Sequence, residues 1–379
     1  MFMERKIKSV LMLSETFSPA IGGAAHQALE LSRALAERGV KVTVLTRRME
    51  GAPAEEIING ISVLRLTGLG FVALDPFSFM IKSFIYLLRH AAAYDVIHAH
   101  TASSPAVAAV LAGRLTGKRT VIKLGGGKNA GPGRLKLKFF QWAGPELLVM
   151  NSEVYDRLKG DPAFPALKLA RFKNGVDTGR YAPLSYQEKI SAKAALGFDN
   201  STIFLFVGML SPGKRVKEFV EVWAEFFAEE MIKPKMRLVI VGKGPERENI
   251  EKAVRDLDVS GTVTLAGAQD DIGPYYGAAD IFVLPSISEG LSNSMLEAMS
   301  SGAAIMAGNV GGVREAVEEG VNGFLFDPAS RHAIKACLRK FMSDHTIPLK
   351  MGERSREIAV KEYSMARVMD ELLEIYSKQ

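Results

Sequence analysis

The sequence predicts an α/β protein with two Rossmann-like, doubly wound parallel-sheet domains facing a cleft. Three observations carry that prediction. Short apolar runs of β type alternate with helix-length segments throughout the chain. A polar stretch, Pro183–Lys193, interrupts the alternation, which restarts after residue 200. The length of 379 residues, at roughly 150 per domain, suits two or three domains.

Each element follows from its residues. Ser9–Leu13 and Val40–Thr46 read as buried strands, with the helical stripe Ala28, Leu31 and Leu35 between them. Asp95–His100, Thr120–Leu124 and Leu147–Met150 continue the first series. Phe77, Met80, Ile81, Phe84, Ile85 and Leu88 have helical spacing and read as a core-facing stripe. Ile203–Val207, Arg237–Val241, Val263–Ala266, Asp280–Leu284 and Ala303–Met306 form the second series. Near-continuous apolar strands separated by helices imply parallel sheets covered on both faces. Pro183–Lys193 reads as a linker, followed by a short helix before Ile203. Such sheets bind ligands beyond the carboxyl ends of their strands, beside glycine-rich turns and helix N-termini.

Composition excludes several classes. With 47% hydrophobic and 24% charged residues, the chain is globular rather than disordered. The single cysteine, Cys337, cannot form a disulfide framework or a thiolate metal site. It sits in the stripe Ile334, Cys337, Leu338, Phe341 and reads as a core thiol. The apolar run Val10–Leu13 is too short for a signal peptide. No stretch reaches the roughly 20 apolar residues of a membrane span, so a cytoplasmic chain is expected. Residues 1–183 carry 25 Lys+Arg against 14 Asp+Glu, a net of +11; the remainder carries 23 against 28, a net of −5. The first half is therefore expected to meet an anionic partner.

Four glycine-rich loops bear on that partner. Pro19–Gly23 precedes a helix, and Gly22 and Gly23 suit either a phosphate or sugar contact or a tight turn. Gly208–Arg215 resembles a Walker A loop, but Arg215 stands where Ser or Thr would hold Mg²⁺, which argues against a P-loop NTPase. Lys214 still suits a diphosphate. In Gly242–Arg247 the third glycine of a dinucleotide fingerprint is Arg247, so a nicotinamide cofactor has weak support. Lys123–Arg134, with Lys123 and Lys128, could cradle an anionic substrate or form a solvated loop.

The most specific signal lies between Asp280 and Gly302. A strand ends at Leu284, a loop follows, and a helix is expected to begin near Ser292–Ser294. Glu289 falls in the loop and Glu297 eight residues later in the helix. The N–H groups of Leu291, Ser292, Asn293 and Ser294 would face an anion, which the helix dipole favours. Glu297 could accept hydrogen bonds from vicinal hydroxyls such as a ribose offers. Diphosphate on the helix end, ribose on one carboxylate and a sugar beside the other is one chemistry; coincidental spacing is the other reading.

Here the chain resembles the retaining nucleotide-sugar glycosyltransferases of family 4, which have the GT-B fold. The resemblance rests on Glu289 and Glu297 within S-E-G-L-S-N-S-M-L-E-A-M, on G-G-V-R-E-A-V from Gly311, and on G-V-N-G-F-L-F from Gly320. Pro19–Gly23, Asp95–His100, Asn174–Asp177, Phe206–Leu210 with Lys214, and Val241–Arg247 extend it over most of the chain. It implies an acceptor domain at 1–183, a donor domain at 184–360, and a last helix at 361–379 returning to the first domain.

The resemblance also implies roles. Glu297 would bind the donor ribose, Glu289 the transferred sugar near its anomeric carbon, and Lys214 the diphosphate. Leu291–Ser294, Gly22, Gly23, Gly208 and Arg215 would assist in donor binding, and His100 would join Glu289 and Lys214 as a catalytic residue. Lys123 and Lys128 are candidates for the acceptor or its phosphate. No metal and no resident cofactor are implied, since cations and a helix dipole would stabilise the departing diphosphate; Asp270 and Asp271 read as loop carboxylates. Where relatives carry a second diphosphate-pairing Arg this chain has Met209, and where they often carry a histidine it has Gly125. The implied partners are a nucleotide sugar, with UDP the commonest carrier, and a lipid-linked or polysaccharide acceptor. Arg134–Trp142, mixing cations with Phe and Trp, adds an anionic membrane surface, at the inner face of the cell membrane. Nucleic acid is the poorest fit. Phosphorolysis or epimerisation on the same fold, and non-catalytic nucleotide-sugar binding, are the alternatives.

Overall fold

A computed structural model describes residues 6–20, 22–67, 75–125, 132–198, 201–231 and 235–378. Lys128 lies outside them. The chain forms two compact units, one of residues 1–174 with 365–379, the other of 175–364.

The first unit begins with β1 (Ser9–Leu13), α1 (Gly23–Glu37), β2 (Lys41–Arg47), β3 (Glu55–Ile58), β4 (Ile61–Leu66) and α2 (Asp75–Arg89). It continues with β5 (Val96–Ala99), α3 (Ser104–Thr116), β6 (Arg119–Lys123), α4 (Arg134–Ala143), β7 (Glu146–Val149), α5 (Ser152–Gly160) and β8 (Lys168–Arg171). Its eight strands are ordered β3-β4-β2-β1-β5-β6-β7-β8, all parallel except β3. Strands β3, β4 and β8 were not expected from sequence, and neither was Gly323–Phe326 in the second unit. In the first unit, β3 and β8 are four residues long with no buried residue, and β4 alternates buried with half-buried residues, so they lack the continuous apolar run that identifies a central strand.

In the second unit the chain forms α6 (Tyr186–Ala195), β9 (Thr202–Val207), α7 (Val216–Glu229), β10 (Met236–Val241), α8 (Arg247–Asp256), β11 (Val263–Gly267) and α9 (Gly273–Ala278). Then come β12 (Ile281–Leu284), α10 (Asn293–Ser300), β13 (Ala304–Gly308), α11 (Val313–Ala316), β14 (Gly323–Phe326), α12 (Arg331–Ser343) and α13 (Ile347–Tyr363). The sheet is parallel throughout, ordered β11-β10-β9-β12-β13-β14. The last helix, α14 (Met365–Ser377), belongs to the first unit. There Val368, Met369, Leu372, Ile375 and Tyr376 join one core cluster with β1, β2 and α1.

Two sequence expectations are corrected. Pro183–Lys193 is not a linker, because most of it is α6. Ser185 caps that helix by accepting from the Glu188 N–H while the Glu188 carboxylate accepts from the Ser185 N–H, a capping box. Lys189 and Lys193 then tie α6 to Asp280 at 2.8 and 2.7 Å. The stripe on α2 is not wholly core: Phe77, Ile81 and Ile85 are 63%, 49% and 41% exposed, and the buried face carries Ser78, Phe79, Ser83 and Leu87 instead. The buried face runs through Phe79, Ser83 and Leu87, one residue out of phase with the expected stripe, so Phe77, Ile81 and Ile85 fall on the outer side.

Candidate functional site

In the second sheet β9 leads outward to β10 and β11, and the chain then returns to β12 on the other side of β9. The order reverses between β9 and β12, the kind of position at which open α/β sheets bind their ligands. The loop after β9 carries Gly208–Arg215 and the loop after β12 carries Ser286–Ser292. They are joined directly, since the Ile287 N–H donates to the Gly213 carbonyl at 3.1 Å.

Across that junction Lys214 Nζ pairs with Glu289 Oε1. The same carboxylate oxygen accepts from Ser286 Oγ at 2.7 Å. The Glu289 backbone is anchored as well, its carbonyl accepting from the Gly312 N–H at 3.3 Å. A Cβ at Gly312 would crowd the Gly290–Leu291 peptide, which explains the glycine in G-G-V-R-E-A-V. Lys214 and Glu289, 75 residues apart, are therefore brought together as an ion pair.

Helix α10 supplies the rest. Ser292 is its N-cap and accepts from the Met295 N–H at 3.4 Å, satisfying one of the orphan donors of the first turn. Ser294 Oγ lies 3.1 Å from Ser292 Oγ. Glu297 follows within the helix, 5% exposed, and its Oε2 accepts from the Tyr276 hydroxyl at 2.7 Å. Burial and the neighbouring Glu297 charge both push the Tyr276 hydroxyl well above its ordinary pKa, so it stays a donor. Arg215 adopts φ 53° and contacts Glu218 at 3.9 Å. Met209 is exposed.

Gly242 and Gly244 have a packing reason. A Cβ at Gly242 would collide with the Gly208 carbonyl, and one at Gly244 with the Leu210 backbone. The broken dinucleotide fingerprint is thus the place where the loop after β10 lies against the loop after β9. Asp271 caps its own turn, accepting from the Gly273 N–H at 3.0 Å, as expected of a loop carboxylate.

In the first sheet the order reverses between β1 and β5. Gly22 is the N-cap of α1, its carbonyl accepting from the His26 N–H at 2.9 Å, and Gly23 opens the helix. His100 follows β5 and its N–H donates to the Leu13 carbonyl at 2.9 Å. Its ring is buried, stacked on His98 with centroids 5.9 Å apart. His98 Nδ1 is hydrogen-bonded to the Tyr376 hydroxyl at 2.5 Å. Burial and then the Lys123 charge lower His98 to about 3, and burial first holds His100 well below its ordinary value too. Both imidazoles are neutral at pH 7.

Lys123, also buried, donates to Asn174 Oδ1 at 3.0 Å and lies 5.8 Å from the Phe172 ring centroid. With no carboxylate against it among the described residues, burial lowers its ammonium to about 7. Gly125 ends the described part of this loop. Sequence reasoning missed Ser286 and Tyr276. Ser286 lies inside the recognised stretch, but hydroxyls are common in loops; Tyr276 is separated from Glu297 by 21 residues and carries no motif.

Two family models match the chain in succession: Glycosyltransferase Family 4 over residues 21–180 and Glycosyl transferases group 1 over residues 188–358. A lipopolysaccharide core biosynthesis glycosyltransferase, LpsE of Rhizobium meliloti, is 25% identical over 94% of this chain and 96% of its own. A UDP-Gal:alpha-D-GlcNAc-diphosphoundecaprenol alpha-1,3-galactosyltransferase of Escherichia coli is 25% identical over 77% of each chain. Among solved structures, Anabaena HepE in complex with UDP superposes with a TM-score of 0.78 over 97% of this chain and 99% of its own, at 19% identity. That last likeness is one of fold. With both of its units matched in order by models of one enzyme family, and each built on a parallel sheet, the chain belongs to the group 1 and family 4 glycosyltransferases of GT-B fold.

Proposed function

We propose that this glycosyltransferase moves a sugar from a UDP-sugar, with retention of anomeric configuration, to a lipid-linked or polysaccharide acceptor of the cell envelope. The observation that carries the donor reading is the Lys214–Glu289 pair at the strand-order reversal, beside the capped N-terminus of α10. An ammonium and helix N–H groups suit a diphosphate; Glu297 suits the ribose, and Glu289 the sugar. Gly208, Arg215 and the Gly22–Gly23 turn assist. The names of LpsE and the galactosyltransferase support an envelope glycan, and the latter also a UDP-linked donor.

In this reading the acceptor oxygen attacks the anomeric carbon from the face that the diphosphate leaves. As the new C–O bond forms, the bond from C1 to the phosphate oxygen breaks. The leaving phosphate oxygen takes the acceptor's proton, and no covalent enzyme intermediate forms. Lys214 and the α10 N–H groups stabilise the departing charge without a metal, and Glu289 orients the sugar. His100 and Lys123, buried at the carboxyl ends of β5 and β6, serve the acceptor side.

The test is a melting-temperature panel of nucleoside diphosphates, followed by transfer of radiolabelled sugar and anomeric assignment by NMR. UDP is expected to raise the melting temperature, and Lys214→Ala to weaken UDP binding roughly 10–100-fold, as loss of a charge-assisted hydrogen bond does. Glu289→Gln is expected to lower kcat/KM at least ~10-fold. Failure of every nucleoside diphosphate to stabilise the protein would refute the donor reading; near-full transfer by Glu289→Gln would remove that carboxylate from catalysis.

The first unit is proposed to dock on an anionic membrane surface. Phe77, Ile81 and Ile85 on α2 and Leu135 and Trp142 on α4 are exposed, and Arg134, Lys136 and Lys138 lie among the latter. Apolar anchors beside cations suit an interfacial helix. Co-sedimentation with vesicles containing anionic lipid is expected, lost in high salt and reduced by Phe77→Ser/Ile81→Ser. Equal pelleting with neutral vesicles, or none with either, would sink it.

A further inference from the structure

Glu297 is a buried carboxylate on a helix, and a side chain in that position needs more than its backbone to hold one orientation. Tyr276, 0% exposed, supplies such a constraint. Its hydroxyl donates to Glu297 Oε2 at 2.7 Å. The phenol ring is itself locked, edge-on to Tyr181 with centroids 5.5 Å apart and tilted against Phe282 at 6.4 Å. The helix that carries it, α9, is tied into the unit at the adjoining chain: Lys189 donates to the Ala279 carbonyl at 2.7 Å. A bond to one carboxylate oxygen from a fixed donor sets the plane of the whole carboxylate, because both oxygens turn together about the last side-chain torsion.

Recognition of a ribose makes that plane matter. The 2′- and 3′-hydroxyls stand at a fixed spacing, and a carboxylate accepts from both only when its plane faces them. We infer that Tyr276 is a positioning residue for donor selectivity: it holds the Glu297 carboxylate in the orientation that reads both ribose hydroxyls, and so sets the preference for ribonucleoside over 2′-deoxyribonucleoside diphosphates. The inference rests on the donor reading proposed above and extends it to a residue that touches no donor atom. Tyr276 is not a catalytic residue, and transfer of the sugar does not require its proton.

The experiment measures dissociation constants of UDP and 2′-deoxy-UDP by calorimetry on the full chain. The wild type, Tyr276→Phe, Glu297→Gln and the double variant are compared. Phenylalanine keeps the packing against Tyr181 and Phe282 while removing the donor. The wild type is expected to prefer UDP by roughly tenfold or more, the yield of one hydrogen bond to a charged group. Tyr276→Phe is expected to compress that preference to within about threefold, with kcat at saturating donor little changed. In the Glu297→Gln background the same change is expected to have no further effect on the ratio, since residues acting through one another are non-additive.

A Tyr276→Phe variant that melts earlier but keeps the wild-type ratio would show a packing role only and overturn the inference. Additive effects in the double variant would overturn it as well. Should the wild type bind neither nucleotide, the donor reading itself falls; should it bind both equally, the ribose role of Glu297 falls while diphosphate recognition by Lys214 survives. Either result ends the proposal for Tyr276, and UDP binding by the wild type tells which.

Discussion

Lys123 illustrates how a single side chain can work against the fold that holds it. Its ammonium is buried with a neutral amide and an aromatic ring for company, and burial brings it to about 7 from the model-peptide value of 10.5. The unfolded chain therefore binds the proton more tightly than the native one, and stability rises with pH between about 7 and 10.5. Below pH 7 the full penalty applies. His98, lowered to about 3 from 6.5, continues the trend, with stability lost as pH falls from about 6.5 toward 3. Lys123→Met is expected to raise the melting temperature of the first unit at pH 6, by roughly 2–4 °C for each kcal/mol recovered, with a gain that shrinks at pH 9. Calorimetry at the two pH values checks this, and a gain unchanged between them would refute the assigned cause. A residue that costs stability at the carboxyl end of a strand is the kind of conflict functional sites carry.

Helices α7 and α12 show how an element is held by its spacing. Glu221, Glu225 and Glu229 recur every four residues on α7, and Arg331, Lys335 and Arg339 recur every four on α12. They interlock as a ladder: Arg331 pairs with Glu221 and Glu225, Lys335 with Glu225 and Glu229, and Arg339 with Glu229 and Glu230. Beneath it Phe226 and Phe341 are buried in the core. Exposed pairs are individually weak and screened by salt, but a network fixes the two helices in register. Glu225→Gln with Glu229→Gln is expected to lower the melting temperature of the second unit by roughly 1–3 °C in low salt and by less in 1 M NaCl. A salt-independent loss would point to packing instead. The charges were plain in the sequence; their pairing was not, since the partners lie more than 100 residues apart.

The whole chain is organised by a segment that leaves one unit and completes the other. Val368, Met369, Leu372, Ile375 and Tyr376 of α14 are buried in the core of the first unit, and Tyr376 reaches His98 there. Burying five such side chains is worth roughly 10 kcal/mol as an upper estimate, comparable with the entire stability of a domain. Truncation after Ser364 is expected to abolish the thermal transition of the first unit and leave that of the second nearly unmoved. Retention of both transitions in a scanning calorimeter would show that α14 is dispensable.

Local pattern was enough for the α/β class, the ten strands with continuous apolar runs, and the Glu289–Glu297 stretch, because strand alternation, caps and turn glycines act over a few residues. The capping box of Ser185 and Glu188 was equally local, but a polar surface disguised that helix as a linker. Tertiary structure alone decided what depends on residues far apart in the chain. It set the strand-order reversal between β9 and β12 that gathers Lys214 beside Glu289, the burial that neutralises His98 and His100, the outward turn of Phe77 and Ile81, and the hold of Tyr276 on Glu297. Burial and partner choice are properties of the packed chain, and no periodicity encodes which distant side chain will fill a given space.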